Sequence, residues 1–323
     1  MTTLKATSRM SGDVMDATNV ILILNYNGGS DTVACLESLS QDSIDLASKV
    51  VVIDNGSTDS SRELIGRSFP EVKIFQNPKN LGFAEGYNRA INWCIQRGTE
   101  SVLLLNNDTI VRKGAYQRLL TSLDEDEAIG AIGPAILYAN SNVIQSLGAN
   151  IRWKLGKSVL RSRGDDYGKA ALVPTEVDHV SGSAMLLRCE AILKAGLFPS
   201  HFFMYGEELD LCLRIRSSGF KVVCDPRAVV EHNEGSTVSR YLGLKEKYMT
   251  RNRFLIMKRH GSTLDFLSFS LWLSMIEVPI TSLISISEES SYRTALARIV
   301  GATRGIILAL NERRVKPYEL TEG

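Results

Sequence analysis

The chain is short of the features that mark a special environment. Its five cysteines (Cys35, Cys94, Cys189, Cys212 and Cys224) are scattered, odd in number and never spaced as CxxC. That excludes a disulfide framework and a zinc signature and leaves reduced, core-packing thiols of a cytosolic protein. Charge is nearly balanced, with 37 Lys and Arg against 36 Asp and Glu and a net charge of +1. No global field therefore points to nucleic acid, and none is expected as a partner. Internal repeats and low-complexity tracts are missing too. Residues 1–17 are polar and lack the apolar core of a signal peptide, so a flexible arm is expected there. The most hydrophobic stretch, residues 264–286, is interrupted by Asp265, Glu277, Pro279 and several serines. A spanning helix wants about 20 mainly apolar residues without a central charge, so a buried helix pair or an interfacial helix is expected instead. Cations follow at Arg293, Arg298, Arg304, Arg313, Arg314 and Lys316. They suit anionic headgroups and a solvated helix face equally well.

What is present is an ordinary globular composition of 44% hydrophobic and 23% charged residues, in 323 residues that can bury a substantial core. The first third alternates β-branched runs with helical patterns. Strands are expected at 20–24, 50–53, 72–75 and 101–105, with helices at 30–40, 60–67 and 83–97. Such alternation implies parallel βαβ units with helices on both sheet faces. Right-handed crossovers put the ends of strands 20–24, 50–53 and 101–105 on one edge, bringing Asn25, Asp54 and Asp108 together. Further on, the pattern predicts a helix over 113–123 and a strand over 129–137, with Pro134 suggesting an edge or a bend. A hairpin or mobile loop covering the site is expected over 140–175. Strands follow at 180–188, 220–224 and 228–230, with helices at 190–195 and 207–217 and a left-handed Gly219 cap. From about residue 241 onward the pattern is helical.

Four segments carry chemistry. Leu-Leu-Leu-Asn-Asn-Asp-Thr at 103–109 is a buried strand ending in amides and a carboxylate. That is how a parallel sheet delivers polar groups to its ligand edge. Asp108 there is a hard oxygen donor suited to Mg²⁺ or Mn²⁺. Residues 19–27 form a second apolar run, breaking into Asn25 and Asn27. Val-Val-Val-Ile-Asp-Asn-Gly-Ser-Thr-Asp at 50–59 opens into Asp54 and a cluster of hydroxyls. Asn-Pro-Lys-Asn-Leu-Gly-Phe-Ala-Glu-Gly-Tyr-Asn-Arg at 77–89 offers glycines for close backbone approach and cations that suit phosphate.

In this order, these segments resemble the donor half of family 2 glycosyltransferases with the GT-A fold, in the bacterial rhamnosyltransferase-like branch. Asn106-Asn107-Asp108 stands where that family carries Asp-X-Asp. Phe-Phe-Met-Tyr-Gly-Glu-Glu-Leu-Asp at 202–210 is similar to its acceptor-side Glu-Asp-X-Asp, and Val-Val-Glu-His at 229–232 supplies a downstream histidine. The resemblance covers roughly residues 18–255. It implies an α/β catalytic domain over 18–240 built on a mostly parallel sheet, with a donor half at 18–137 and an acceptor half at 138–240. Residues 241–323 would be a helical extension that either meets a membrane surface or packs as core.

The resemblance also implies roles. Asp108 would ligate the metal, with His232 as a neutral-imidazole ligand or diphosphate contact. Asn107 would assist it or bind the donor ribose. Asp54 would accept the imide N–H of uracil or thymine, with Asn25 and Asn27 lining the pocket. Asp59 would support it or cap the following helix. Asn80, Gly82 and Asn88 match the donor-binding loop, and Arg89 either reaches phosphate or sits exposed. Glu208 is the candidate general base, with Glu207 and Asp210 as alternatives. It is Glu where the family has Asp, which moves the carboxylate by on the order of 1.5 Å. Residues 207 and 210 share a helix face and 208 points elsewhere. Phe203, Tyr205 and Gly182 fall on the acceptor side, although aromatic residues there also suit a core. Arg251 and Arg253 would lie near the donor or a lipid acceptor.

The activity implied is inverting, metal-dependent transfer from a dTDP- or UDP-sugar to a saccharide or lipid-linked acceptor, in the cytoplasm or on the inner membrane face. Homo-oligomerisation stays open. A sugar-phosphate nucleotidyltransferase would need a cationic Gly-rich loop after its first strand, where this chain has the uncharged Asn-Tyr-Asn-Gly-Gly-Ser at 25–30. A non-catalytic saccharide- or nucleotide-binding module is the other alternative.

Overall fold

A computed structural model describes residues 18–233, 243–287 and 292–312. The expected N-terminal arm, the boundary near 240, and Arg313, Arg314 and Lys316 lie outside the described residues. The elements are β1 (Asn19–Asn25), α1 (Gly29–Gln41), α2 (Leu46–Lys49), β2 (Val50–Asp54), α3 (Ser61–Ser68), β3 (Lys73–Gln76), α4 (Gly82–Ile95), β4 (Ser101–Asn106), β5 (Thr109–Val111), α5 (Ala115–Glu125), β6 (Ile129–Tyr138), β7 (Ile144–Ser146), β8 (Ala149–Arg152), β9 (Lys157–Leu160), β10 (Thr175–Glu176), β11 (Ala184–Arg188), α6 (Cys189–Ala195), α7 (Glu207–Ser217), β12 (Lys221–His232), α8 (Leu244–His260), α9 (Thr263–Trp272), α10 (Val278–Ser287) and α11 (Tyr292–Asn311).

One sheet runs in the order β10-β12-β6-β11-β4-β1-β2-β3, with β5 paired to β12 and β7 to β6. From β4 to β3 it is parallel, whereas β11 enters antiparallel to both β4 and β6. Alternate strand residues feed two cores. Leu22, Ile53 and Leu104 pack with Tyr87, Ile91, Leu211 and Ile215 of α4 and α7. Ile23, Val52 and Leu105 pack with Leu36, Leu39, Leu119 and Leu123 of α1 and α5 on the other face. This double coverage is why the strands read as unbroken apolar runs.

Three expectations need correcting. Pro134 is not on an edge, because β6 lies between β12 and β11. The β11 ladder stops at Ile132, the β7 ladder starts at Ile136, and β12 shifts register between Asp225 and Val229 opposite the proline. The missing N–H therefore falls in a gap between ladders. Residues 220–224 and 228–230 belong to one bulged strand, β12. The strand expected from 180 begins at Ala184, after a Ser181–Ser183 hydroxyl-bonded turn. Within 140–175, β8 and β9 do form a hairpin.

In the C-terminal part, Asp265 is a capping residue: it and Ser262 form a reciprocal capping box that starts α9. Residues Leu273–Glu277 form a π-helical turn that carries the helix past Pro279 without a break.

Candidate functional site

The parallel register places Asn25 beside Asp54 and Leu24 beside Asn106. The carboxamide of Asn25 is fully buried; its Nδ2 donates to Asp54 Oδ1 at 3.3 Å and Ser57 Oγ at 3.1 Å. Its Oδ1 accepts from the Gly28 N–H and the Thr32 hydroxyl. Asn25 thus holds Asp54 at the strand end and bends the chain toward α1. Asn27 adopts φ +53° and clasps Thr58 through both amide ends. Asn107 Nδ2 donates to Gly28 O at 3.1 Å, linking the β4 end to the β1 end. Asp59 accepts from the Ser61 N–H at the start of α3, a capping bond.

Asp108 follows the last residues of β4, and β5 then pairs antiparallel with the end of β12, setting His232 opposite Thr109. The Asn233 N–H donates to Asp108 O. His232 Nε2 lies 3.3 Å from Asp108 Oδ1, and its Nδ1 lies 3.0 Å from Gln145 Oε1. With Nδ1–H donated to Gln145, the Nε2 lone pair faces a carboxylate oxygen, so the two atoms offer electron pairs to one cation. Cis ligands of one octahedral Mg²⁺ at about 2.1 Å stand about 3 Å apart, so the pair fits one hard divalent ion. Among the described residues no cluster of three or more His, Cys, Asp and Glu exists to hold a metal. The remaining positions of such an ion would fall to water and diphosphate oxygens.

The 77–89 segment is knitted by amides, two of which the sequence did not single out. Buried Asn55 donates to Asn80 Oδ1 and Gly82 O, and accepts from Asn77 Nδ2 and the Leu81 N–H. Asn80 also caps the Gly82 N–H. Arg89, weighed for phosphate, donates to Asn77 Oδ1 at 2.8 Å. Asn88 clasps both backbone groups of Phe198, at 2.8 and 3.0 Å. Its amide thus tethers α4 to the acceptor half, and the donor contact expected of it is not what these bonds make. Gly82, at φ +76°, leaves no room for a Cβ, which would stand 2.3 Å from Phe203 O. The 77–89 segment and the turn at Phe203 touch at that point.

The corner expected on the acceptor side is built on a strained turn. Phe203 has φ 64° and ψ −57°, and Met204 N donates to Phe202 O at 2.8 Å, which is a γ-turn of the rare hand. Tyr205 and Gly206 are also left-handed, at φ 65° and 91°. Such strain persists only when neighbours hold it. Asn252 of α8 does so: its Nδ2 reaches the carbonyls of Phe202, Met204 and Tyr205 at 3.2, 2.9 and 2.6 Å. Arg251 adds bonds to His201 O and Phe202 O. Phe203 stacks on Tyr248 with ring centres 5.3 Å apart.

This turn launches α7 and its carboxylates. Glu207 is buried, and its Oε2 has no hydrogen-bond partner among the described residues. Burial, and then the charge of Glu208, push its carboxyl well above the usual carboxylate range. Glu208 is part-buried and accepts from the Gly206 N–H at 3.0 Å. A Cβ on Gly182 would sit 3.5 Å from Glu208 Cβ, so the Ser181–Ser183 turn packs against this acid. Ser183 O in turn accepts from the Asn106 N–H, tying that turn to the β4 end.

Asp210, named as an alternative base, lies elsewhere. It is fully buried and bonded to Arg214, Arg259 and His260. Burial raises its carboxyl, but His260, Arg214 and Arg259 outweigh that and hold it below the ordinary range. Both oxygens are engaged, which rules it out as a base. Arg253 is also structural, bonding Leu155 O, Gly156 O and Glu277.

Two helical stretches, Thr263–Ile284 and Arg293–Asn311, are long and apolar enough to cross a membrane. Leu264, Leu271, Met275, Leu283 and Leu310 are among their exposed side chains. Glu277, midway along the first, pairs with Arg253 at 2.5 Å and Lys157 at 3.2 Å and accepts from the Trp272 indole.

The model of the family described as "Glycosyl transferase family 2" matches residues 20–195. The chain is 27% identical over 238 residues to an N-acetylglucosaminyl-diphospho-decaprenol L-rhamnosyltransferase of Mycobacterium tuberculosis, covering 68% of this chain and 77% of that protein. Among solved structures it resembles S. aureus TarS 1-349 in complex with UDP-GlcNAc, with TM-score 0.57 and 15% identity, over 88% of this chain and 79% of the other. It also resembles the mannosyltransferase PcManGT from Pyrobaculum calidifontis in complex with GDP-Man and Mn²⁺, with TM-score 0.55 and 12% identity, over 90% and 87%. These likenesses establish a GT-A fold. With more than half of its length inside the family model, the chain belongs to glycosyl transferase family 2.

Proposed function

We propose that this enzyme moves a sugar from a nucleoside-diphosphate donor to a saccharide hydroxyl by a single, inverting displacement. The observation that carries this is one sheet edge bearing Asp54 for the base, the Asp108–His232 pair for a divalent ion, and the part-buried Glu208 across the β4–Ser183 contact. Asp54 Oδ1 takes the Asn25 and Ser57 bonds. Its carboxylate then suits the imide N–H of uracil or thymine. Mg²⁺ or Mn²⁺ held by Asp108 and His232 would neutralise the leaving diphosphate.

The acceptor hydroxyl attacks the anomeric carbon as the bond from that carbon to the diphosphate oxygen breaks. Glu208 takes the hydroxyl proton. Glu207 is buried, and burial and the charge of Glu208 push its carboxyl well above the usual carboxylate range, so it shapes the site rather than serving as the base. The donor we favour is dTDP-rhamnose and the acceptor a lipid-linked saccharide; the mycobacterial relative's name, with its rhamnosyl group and diphospho-decaprenol acceptor, supports the sugar and the acceptor by analogy. The enzyme would work at the inner face of the cytoplasmic membrane in envelope polysaccharide assembly. Its helices α9–α11 would lie in the interface, because crossing would drag the Glu277–Arg253–Lys157 cluster into hydrocarbon.

The test is turnover by the full chain with Mn²⁺ and a panel of dTDP- and UDP-sugars. Acceptor-dependent release of free nucleoside diphosphate is expected. Binding of nucleotide sugar without release, with any lipid-linked saccharide, would contradict the proposal.

A further inference from the structure

The acceptor corner continues into a group of cations that the reaction as described does not use. Helices α8 and α11 touch backbone to backbone. A Cβ on Gly301 would stand 2.5 Å from Lys247 O, and one on Gly305 would stand 2.9 Å from Arg251 O. These two glycines, four residues apart, set α11 against α8, and Arg304, exposed on α11 and next to Gly305, lies near enough for its charge to act on Lys247 and Arg251. Lys247 and Arg251 flank one ring, with Nζ 5.3 Å and Cζ 4.5 Å from the Tyr248 centroid. Tyr248 is the ring on which Phe203 stacks. Among the described residues neither Lys247 nor Arg304 forms an ion pair with a carboxylate.

The electrostatics agree with the packing. Burial, then Arg304 and Arg251, hold the Lys247 ammonium below its ordinary value. Burial and Arg304 also lower Arg251. Lys247 and Arg251, held on one ring with the charge of Arg304 nearby, are cations that an anion would stabilise. Arg251 meanwhile donates to His201 O and Phe202 O, so the cluster is joined to the turn that launches Glu207 and Glu208.

We propose that Lys247, Arg251 and Arg304 form a subsite for the diphosphate of a lipid-linked acceptor, beside the Phe203–Tyr248 stack and next to the apolar helices α9–α11. This rests on the glycosyltransferase function proposed above and adds the acceptor's own anionic group. A diphosphate has enough oxygens for two guanidinium groups and an ammonium. Its lipid would run onto the exposed side chains of α10 and α11, such as Ile280, Leu283, Ile307 and Leu310. The saccharide would extend the other way, past Phe203 toward Glu208. Anionic phospholipid headgroups share the phosphate chemistry and are separated from the acceptor by experiment.

The experiment measures binding of farnesyl diphosphate and farnesol to the full chain in neutral detergent micelles. EDTA is present, so no divalent ion can recruit the diphosphate to Asp108. The wild type should prefer the diphosphate. Arg304→Gln and Lys247→Gln should each weaken it by about tenfold, the loss typical of one charge-assisted hydrogen bond, while Arg304→Lys keeps part of the affinity. Unchanged affinity in both glutamine variants would overturn the proposal. So would variants that lose flotation on phosphatidylglycerol vesicles yet bind farnesyl diphosphate normally, because the cations would then serve the bilayer. No donor or turnover enters this measurement. A failed transfer reaction is therefore distinguishable from a failed subsite.

Discussion

The side-chain nitrogen of Asn252 lies 2.6 Å from the carbonyl oxygen of Tyr205, and the same nitrogen reaches the carbonyls of Met204 and Phe202. A residue of the C-terminal helices therefore holds the left-handed turn from which Glu207 and Glu208 project. This ties α8 to the turn that carries the proposed base rather than leaving it an appendage.

Replacing Asn252 with Ala should remove donors from three carbonyls in a strained turn. Turnover should fall at least about tenfold while nucleotide affinity is unchanged, and unfolding should cost about 1–3 kcal/mol less. Steady-state kinetics alongside urea denaturation reads both. Loss of stability with kcat intact would show that the turn does not position the carboxylates.

Glu208→Gln should cut turnover by roughly 10²–10⁴-fold with donor binding retained, the range for losing a general base. Glu207→Gln keeps the size of a buried side chain whose carboxyl burial and Glu208 push well above the usual range, and should cost far less. The reverse ranking in single-turnover assays would move the base to Glu207.

Asp210 makes a stability prediction with a definite sign. His260, Arg214 and Arg259 hold its native carboxyl below the ordinary value near 3.9. Its contribution is thus present above that value and is lost as pH falls through the native one. Asp210→Asn should destabilise by about 3–5 kcal/mol at pH 7, the cost of breaking a buried ion pair. Its stability should also decline less than the wild type's below pH 4. A parallel acid decline in urea melts of both proteins would contradict this.

The strand ends were legible because burial on both sheet faces makes β1, β2 and β4 apolar until the residue where the sheet stops. Asn25, Asp54 and Asn106 mark that stop, with Asp108 two residues beyond it. Less could be read where one residue type serves two purposes. Asn55, Asn77 and Asn88 look like turn or pocket amides, and only tertiary contacts show that they bond backbone and each other. Asn252 sits in a helix with charged residues on every side, so no periodic face marks it. Pro134 suggests an edge, and only the gap between the β11 and β7 ladders explains how an interior strand tolerates it. Asp265 interrupts an apolar run by composition but begins the helix by capping it.

Membrane attachment should depend on α9–α11. The full chain should float with liposomes and be released by carbonate, and a chain ending at Gly261 should not float. Extraction only by detergent would mean that the helices cross the bilayer. Equal flotation of both chains would place the anchor elsewhere.

The most direct test of the account is the affinity for dTDP and UDP, measured by calorimetry with and without Mn²⁺, in the wild type and in Asp108→Ala. Wild-type affinity should rise by more than about tenfold with the ion, and the variant should lose that gain while keeping its metal-free affinity. A variant whose affinity still rises with Mn²⁺ as the wild type's does would show that Asp108 and His232 are not the metal site.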